Sequence, residues 1–246
     1  MTDKSNNPVN DTGCSLDEGL RLQYLKTMGI PAWYSRFTPV ASVAEPQSAV
    51  PDPVATDAPG GTPDISQLDW QALEQQVSQC RQCELHQSRT QTVFGVGNQQ
   101  ADLFIVGEAP GAEEDRQGEP FVGRAGQLLD AMLKAIQLDR QQVYIANVLK
   151  CRPPNNRDPH TSEIMCCEPY LQRQIELLQP KIILALGRIA AHHLLLSDES
   201  LAKLRQQNHR YNGIPLMVTY HPAYLLRKPS DKRKSWQDLL KVKAML

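Results

Sequence analysis

No apolar run in the 246 residues approaches the roughly 20 that a membrane-spanning helix needs, so no membrane span is expected. The opening stretch, MTDKSNNPVNDTGCS, is polar and has no apolar h-region, so it does not read as a secretory signal. Two phosphate-binding signatures are missing as well: no Gly-Lys-Ser/Thr closes a Walker A loop, and no G-x-G-x-x-G opens a helix. There is no internal repeat. The six cysteines do not read as a secreted disulfide framework in a chain of this size without an export signal, and their spacing calls for another reason. With 41% hydrophobic and 22% charged residues the chain can bury a core, which excludes global disorder.

A net charge of −1 conceals an uneven distribution. Residues 1–65 hold 4 basic and 8 acidic side chains, residues 66–199 hold 12 and 17, and residues 200–246 hold 10 and 2. A basic C-terminal end on an otherwise acidic chain suits contact with a polyanion, although charge alone equally fits a solvated helix face.

Three regions follow from the patterning. In residues 1–37, the stretch 16–28 (LDEGLRLQYLKTM) reads as a short amphipathic helix stopped by Gly-Ile-Pro, with a docking role toward another protein as its expected use. Residues 38–65 contain six of the 18 prolines among Ala, Val, Ser and Gly, the composition of a disordered linker. From residue 66 to 246, short apolar runs alternate with helical periods. Strands are expected at Asp102–Gly107, Val143–Val148, Lys181–Leu186 and Pro215–Tyr220. Helices are expected around Asp69–Val77, Gly123–Ile136, Thr161–Leu178, Arg188–Leu196 and Pro229–Met245. The fold class is α/β: three layers, α/β/α, around a central, mainly parallel four-stranded sheet. In such sheets ligands bind beyond the carboxyl ends of the strands.

The unusual residues cluster at those ends. The first strand runs into Gly107-Glu108-Ala109-Pro110-Gly111, a turn whose acidic surroundings repel phosphate and favour a neutral ligand or acid–base work by Glu108. Phe121, in PFVGRAG, is either core or a stacking platform for a planar ring. Asn147 ends the second strand, where a carboxamide can form a turn or pair with a base edge. His221 follows the last strand, and a neutral imidazole there can donate to a developing anion. His192 and His193 lie within an apolar helix and read as structural. Cys80-x2-Cys83, Cys151 and Cys167 supply four thiolates, with Cys166 competing for the last place; spacing alone fits tetrahedral zinc or a [4Fe–4S] cluster.

Taken in order, Cys80–Cys83, VFGVGN at 93–98, GEAPG at 107–111, PFVGRAGQLL at 120–129, NVLKCRPPNNRDP at 147–159, CEPYL at 167–171 and TYHPAYLLR at 219–227 resemble the family 4 uracil-DNA glycosylases, the iron–sulfur branch of the uracil-DNA glycosylase superfamily. The resemblance covers about residues 78–246 and leaves 1–65 outside it. It implies a [4Fe–4S] cluster on Cys80, Cys83, Cys151 and Cys167. Cys167 is preferred because the family's fourth cysteine directly precedes x-Pro-aromatic-Leu, matched by Glu168-Pro169-Tyr170-Leu171, although Glu168 stands where Arg is usual. It further implies that Glu108 and Ala109 form the water-activating and uracil-holding turn. Phe121 would stack on the base, Asn147 would read its edge, His221 would face uracil O2, and Glu114 would stand in the pocket wall near the position of a thymine methyl. A related branch bonds covalently to DNA through a His in a KRRIH stretch and carries GEQPG; here residue 109 is Ala and that stretch is missing, which argues against a covalent mode even with His160 nearby.

The implied activity is excision of uracil from DNA by hydrolysis of the N-glycosidic bond, the first step of base excision repair, on single- or double-stranded substrate. Lys150, Arg152, Arg157, Arg227, Lys228 and Arg233 are expected to hold phosphates. No Lys stands at a nucleophile position in these motifs, which argues against a lyase. The expected setting is a cytoplasmic monomer, nucleoid-associated in a bacterium. The rival readings are a non-catalytic iron–sulfur or zinc DNA-binding module and a redox protein. Neither needs Glu108, Phe121, Asn147 and His221 together.

Overall fold

The computed structural model describes residues 64–246; the expected N-terminal helix and nearly all of the proline-rich segment lie outside the described residues. A six-stranded sheet forms the centre, in the order β1-β3-β2-β4-β6-β5. The strands are β1 (Val96–Gly97), β2 (Leu103–Gly107), β3 (Tyr144–Asn147), β4 (Ile182–Leu186), β5 (His209–Tyr211) and β6 (Ile214–Thr219). The expectation of four strands is therefore corrected to six. β3, β2, β4 and β6 run parallel, and β1 and β5 are added antiparallel at the edges. The four parallel strands are almost wholly buried apolar runs because helices cover both of their faces.

Alternation along each strand decides which side chain meets which layer. Phe104, Val106, Tyr144, Ala146, Ile183, Ala185, Leu216 and Val218 face one core with Leu171, Ile175, Ala190 and Leu194. Leu103, Ile105, Val143, Ile145, Ile182, Leu184 and Met217 face the other with Leu129, Leu133, Leu239 and Val242. The helices concerned are α1 (Trp70–Ser78), α2 (Ala112–Gln117), α3 (Arg124–Ala135), α4 (Thr161–Leu178), α5 (Arg188–Leu195), α6 (Leu201–Leu204), α7 (Pro222–Arg227) and α8 (Lys232–Met245). Asp69 caps α1 by accepting from the Ala72 amide at 2.8 Å. At α4 the cap is His160, one residue before the expected Thr161, and its amide donates to Glu163 Oε2 at 2.8 Å. No helix among the described residues is long and apolar enough to cross a membrane.

Parallel strands point their carboxyl ends the same way. Gly107, Asn147, Leu186 and Thr219 therefore end at one edge of the sheet, and the segments leaving them converge there.

Candidate active site and cysteine cavity

The converging segments enclose a cleft of about 710 Å³ lined by Glu108, Ala109, Gly111, Glu114, Phe121, Asn147, Arg188, Tyr220, His221 and Arg227, among others. All six catalytic and base-binding residues expected from sequence thus line one space. Ala109 and Glu108 form its floor turn, anchored by donation from the Val148 amide to Gly107 O (3.0 Å) and from the Leu149 amide to Glu108 O (3.1 Å).

Asn147 is 2% exposed, and its Oδ1 has no hydrogen-bond partner among the described residues. An unpaired buried acceptor costs about 1–3 kcal/mol, so it calls for a partner from outside the chain. The Phe121 ring stands beside it. Phe121 is buried with φ 56°, an uncommon backbone for a bulky side chain, and this aims the ring across the cleft. Its carbonyl accepts from Arg140 Nη1 at 3.2 Å, and Arg140 Nη2 donates to Pro120 O. Gly126 permits this course, since a Cβ there would overlap Phe121 O. The Phe121 and His221 rings lie 5.4 Å apart at 31°.

His221 caps α7 through its ring: Nδ1 accepts from the Ala223 amide at 3.2 Å. In a neutral ring the proton then sits on Nε2. Burial, helped by the Arg227 charge and opposed by Glu114, pushes the His221 pKa down to about 4, so at neutral pH the ring is an uncharged donor. Glu108 behaves oppositely. Burial and the Asp158 charge raise it to about 7, against the pull of Arg188. Glu114 spends both oxygens on backbone: Oε2 accepts from Gly111 N (3.1 Å), and Oε1 accepts from Val122 N (3.0 Å) and Gly123 N (3.2 Å). It therefore ties the floor turn to the Phe121 loop as well as standing in the wall.

A second cavity is lined by Cys80, Cys83, Cys151, Cys166 and Cys167 with Arg89, Lys150 and Tyr170. All five thiols are free. Cys80 and Cys83 follow α1, Cys151 follows β3, and Cys166 and Cys167 lie in α4. Arg89 Nη1 donates to Cys151 Sγ at 3.0 Å. Among the described residues no three His, Cys, Asp or Glu side chains could together hold a single metal ion. Five thiols lining one cavity are the kind of donor set that a metal or metal–sulfur group takes. Cys151 and Cys167 are 4% and 3% exposed, whereas Cys166 is half-buried and its Sγ lies 3.5 Å from Gln82 O.

The expected phosphate set divides. Arg227, Lys228 and Arg233 are exposed, with Lys228 3.4 Å from Asp231. Arg152 donates to Asn156 Oδ1, and Arg157 forms a two-pronged pair with Glu163 at 2.9 and 2.6 Å. Lys150 is a correction. It is 1% exposed, with Nζ donating to Asn147 O (2.9 Å) and Gln174 Oε1 (2.6 Å), so it has no path to a phosphate. Burial pulls its amine down to about 7, while the Cys167 and Cys151 thiols favour the charged form. His192 and His193 lie outside the cleft lining; His192 Nε2 is 2.8 Å from Glu199 O, and His193 sits 3.9 Å from Glu168.

Sequence reasoning missed two arginines. Arg188 opens α5 at the cleft mouth and pairs with Asp158 at 2.8 Å; its only sequence signal is its place directly after the Gly that ends an apolar run. Arg140, which holds the Phe121 loop, has no local signal at all, being 19 residues from its partner.

A family model for the uracil DNA glycosylase superfamily matches residues 94–240. The type-4 uracil-DNA glycosylase of Pyrobaculum aerophilum is 44% identical over 180 residues, 70% of this chain and 92% of the relative. Those of Archaeoglobus fulgidus (42%, covering 69% and 89%) and Thermotoga maritima (41%, covering 71% and 93%) are similarly related.

Proposed function

The chain belongs to the type-4 uracil-DNA glycosylases of the uracil DNA glycosylase superfamily, and we propose a residue-level mechanism for its activity, the excision of uracil from DNA. The observation that carries the reading is the unpartnered Asn147 Oδ1 beside the Phe121 ring.

A base inside a duplex is out of reach, so the nucleotide must be extruded at a cost of a few kcal/mol. Stacking on Phe121 and pairing with Asn147 offset that cost. The Asn147 Oδ1 accepts from uracil N3–H and the amide nitrogen donates to O4. As the N-glycosidic bond lengthens, the sugar becomes cationic and the departing base anionic. Neutral His221 donates from Nε2 to uracil O2, where the charge develops, without surrendering a proton. Glu108, when ionised, orients water toward C1′ of the sugar and favours its cationic character. Water adds at C1′ and its proton passes toward the carboxylate; the uracil anion departs and takes up a proton from solvent, and the abasic sugar remains in the DNA. Arg227, Lys228 and Arg233, joined by Arg152 and Arg157, hold the phosphates.

Cys80, Cys83, Cys151 and Cys167 would hold a [4Fe–4S] cluster, with burial favouring Cys167 over Cys166. Such a group would cross-link α1, the β3 exit and α4 in place of local secondary structure. The reading takes the protein as a cytoplasmic monomer working on single- or double-stranded DNA. Single-turnover release of uracil from an oligonucleotide, followed by alkaline strand cleavage, tests it. Intact DNA after alkali treatment would refute it.

A further inference from the structure

We propose that Lys150 is a positioning residue that joins the cysteine cavity to the base-reading end of β3, and that it makes no contact with DNA. This rests on the reading of the cavity as an iron–sulfur site in a uracil-excising enzyme.

Lys150 stands between the two sites in both chain and space. Asn147 is three residues before it, Cys151 directly follows it, and its side chain lines the cysteine cavity. The amine donates to the backbone carbonyl of Asn147 at 2.9 Å, which fixes the residue whose carboxamide faces the cleft. Its other acceptor, Gln174 Oε1 at 2.6 Å, lies on α4, seven residues beyond Cys167. Gln174 is fully buried and donates onward from Nε2 to Phe94 O (3.0 Å) and Tyr144 OH (3.4 Å). Tyr144 opens β3 and Asn147 closes it, so the Lys150–Gln174 clasp holds β3 against α4 near both of its ends.

Cys151 and Cys167 stand on the two segments that this clasp joins. A group bound to both thiols fixes the spacing between the β3 exit and α4, and the clasp passes that spacing to the Asn147 backbone. A hydrophobic residue at 150 would leave Asn147 O and Gln174 Oε1 without their donor.

The test uses the full chain, purified anaerobically, as wild type, Lys150→Met and Gln174→Met. Iron content, the rate at which an oxidant with a chelator bleaches the visible absorbance, DNA affinity at several salt concentrations, and the maximal single-turnover rate of uracil release are measured. Both variants are expected to bleach faster and to release uracil more slowly at saturating DNA, each on the order of 10- to 100-fold, as outer contacts to a metal group do. The salt dependence of DNA affinity should match wild type. A Lys150→Met protein with wild-type bleaching and maximal rate, but a salt slope smaller by about 1, makes Lys150 a phosphate ligand and overturns the proposal. Should Lys150→Met not fold, Gln174→Met decides alone, since it leaves lysine and cysteines in place: no change in either rate sinks the idea. Wild-type protein without iron, or with iron but no uracil release, would instead defeat the underlying reading.

Discussion

Gly107 on β2 is the register partner of Asn147 on β3, and a Cβ at Gly107 would overlap Asn147 Oδ1 while standing 2.7 Å from Cε2 and Cζ of Phe121. The missing side chain is thus the space in which the carboxamide and the ring both stand. Glycine here serves close approach rather than backbone freedom.

Gly107→Ala should therefore displace at once the two groups proposed to bind the base. A shift of about 1 Å in such a group costs on the order of 100-fold in rate. The clash falls at the carboxyl end of β2, against a ring that also belongs to the second core, so folding is measured alongside the rate. Circular dichroism with single-turnover kinetics checks this; a folded Gly107→Ala protein with the wild-type rate would show that neither group is held as described.

The pH profile follows from two opposite shifts. His221, pushed down to about 4, stays neutral across the assay range, so of the two groups that face the base and the sugar it is Glu108, near 7, that ionises within it. Uracil release should rise about tenfold per pH unit below that value and level off above it. Glu108→Gln should be slow and flat with pH. A wild-type profile level from pH 5 to 8 would remove Glu108 from the role.

The same shift predicts a stability difference. A carboxyl whose folded pKa is raised from 4.5 to about 7 favours folding in its protonated form. That contribution is complete below 4.5 and is lost as pH rises through 7. Glu108→Gln should match wild type near pH 4 and exceed it at pH 8 by about 1–2 kcal/mol, after discounting for solvent access. Denaturant melts at the two pH values decide it.

Much of this arrangement is legible in the chain and some of it is not, for physical reasons. LFIVG, YIAN, IILAL and IPLMVT announce strands because both of their faces are buried. Val96–Gly97 and His209–Tyr211 are short, half-polar edges and announce nothing. Glu108, Asn147 and His221 stand out because they sit at strand ends, whereas Phe121 reaches the cleft from the turn before α3. Lys150 misled because a lysine beside a basic loop looks like a phosphate ligand, while its true acceptor lies 24 residues away on α4.

Behind His221, Thr219 Oγ1 donates to Asp238 Oδ2 at 2.7 Å, and Asp238 takes a two-pronged bond from Arg205 at 2.7 and 2.9 Å. Arg205 also lies over the Tyr220 ring at 4.4 Å. The pair is 8% and 3% exposed. Asp238→Ala leaves a buried guanidinium unpaired and should destabilise the fold by about 3–5 kcal/mol. Where the variant remains folded it should slow uracil release, because the two residues before His221 lose their hold. Combined with His221→Ala, the rate losses should be less than additive. Full additivity would separate this network from the histidine.

Asn147 carries the most selective prediction. Uracil offers a donor at N3 beside an acceptor at O4, and only a carboxamide with Oδ1 toward N3 meets both. No side chain locks Oδ1; it is confined by Gly107 and the Phe121 ring instead. Asn147→Asp keeps that shape but sets a carboxylate oxygen against uracil O4. One lost hydrogen bond and one unpaired buried acceptor should cost roughly 2–4 kcal/mol, or on the order of 30- to 1,000-fold in rate. The same oxygen would accept from the N4 amino group of cytosine, so cytosine release should become measurable as uracil release falls. Both are read by single-turnover assays on single-stranded DNA. Wild-type uracil release by a folded, iron-loaded Asn147→Asp protein would show that the base is read by some other group.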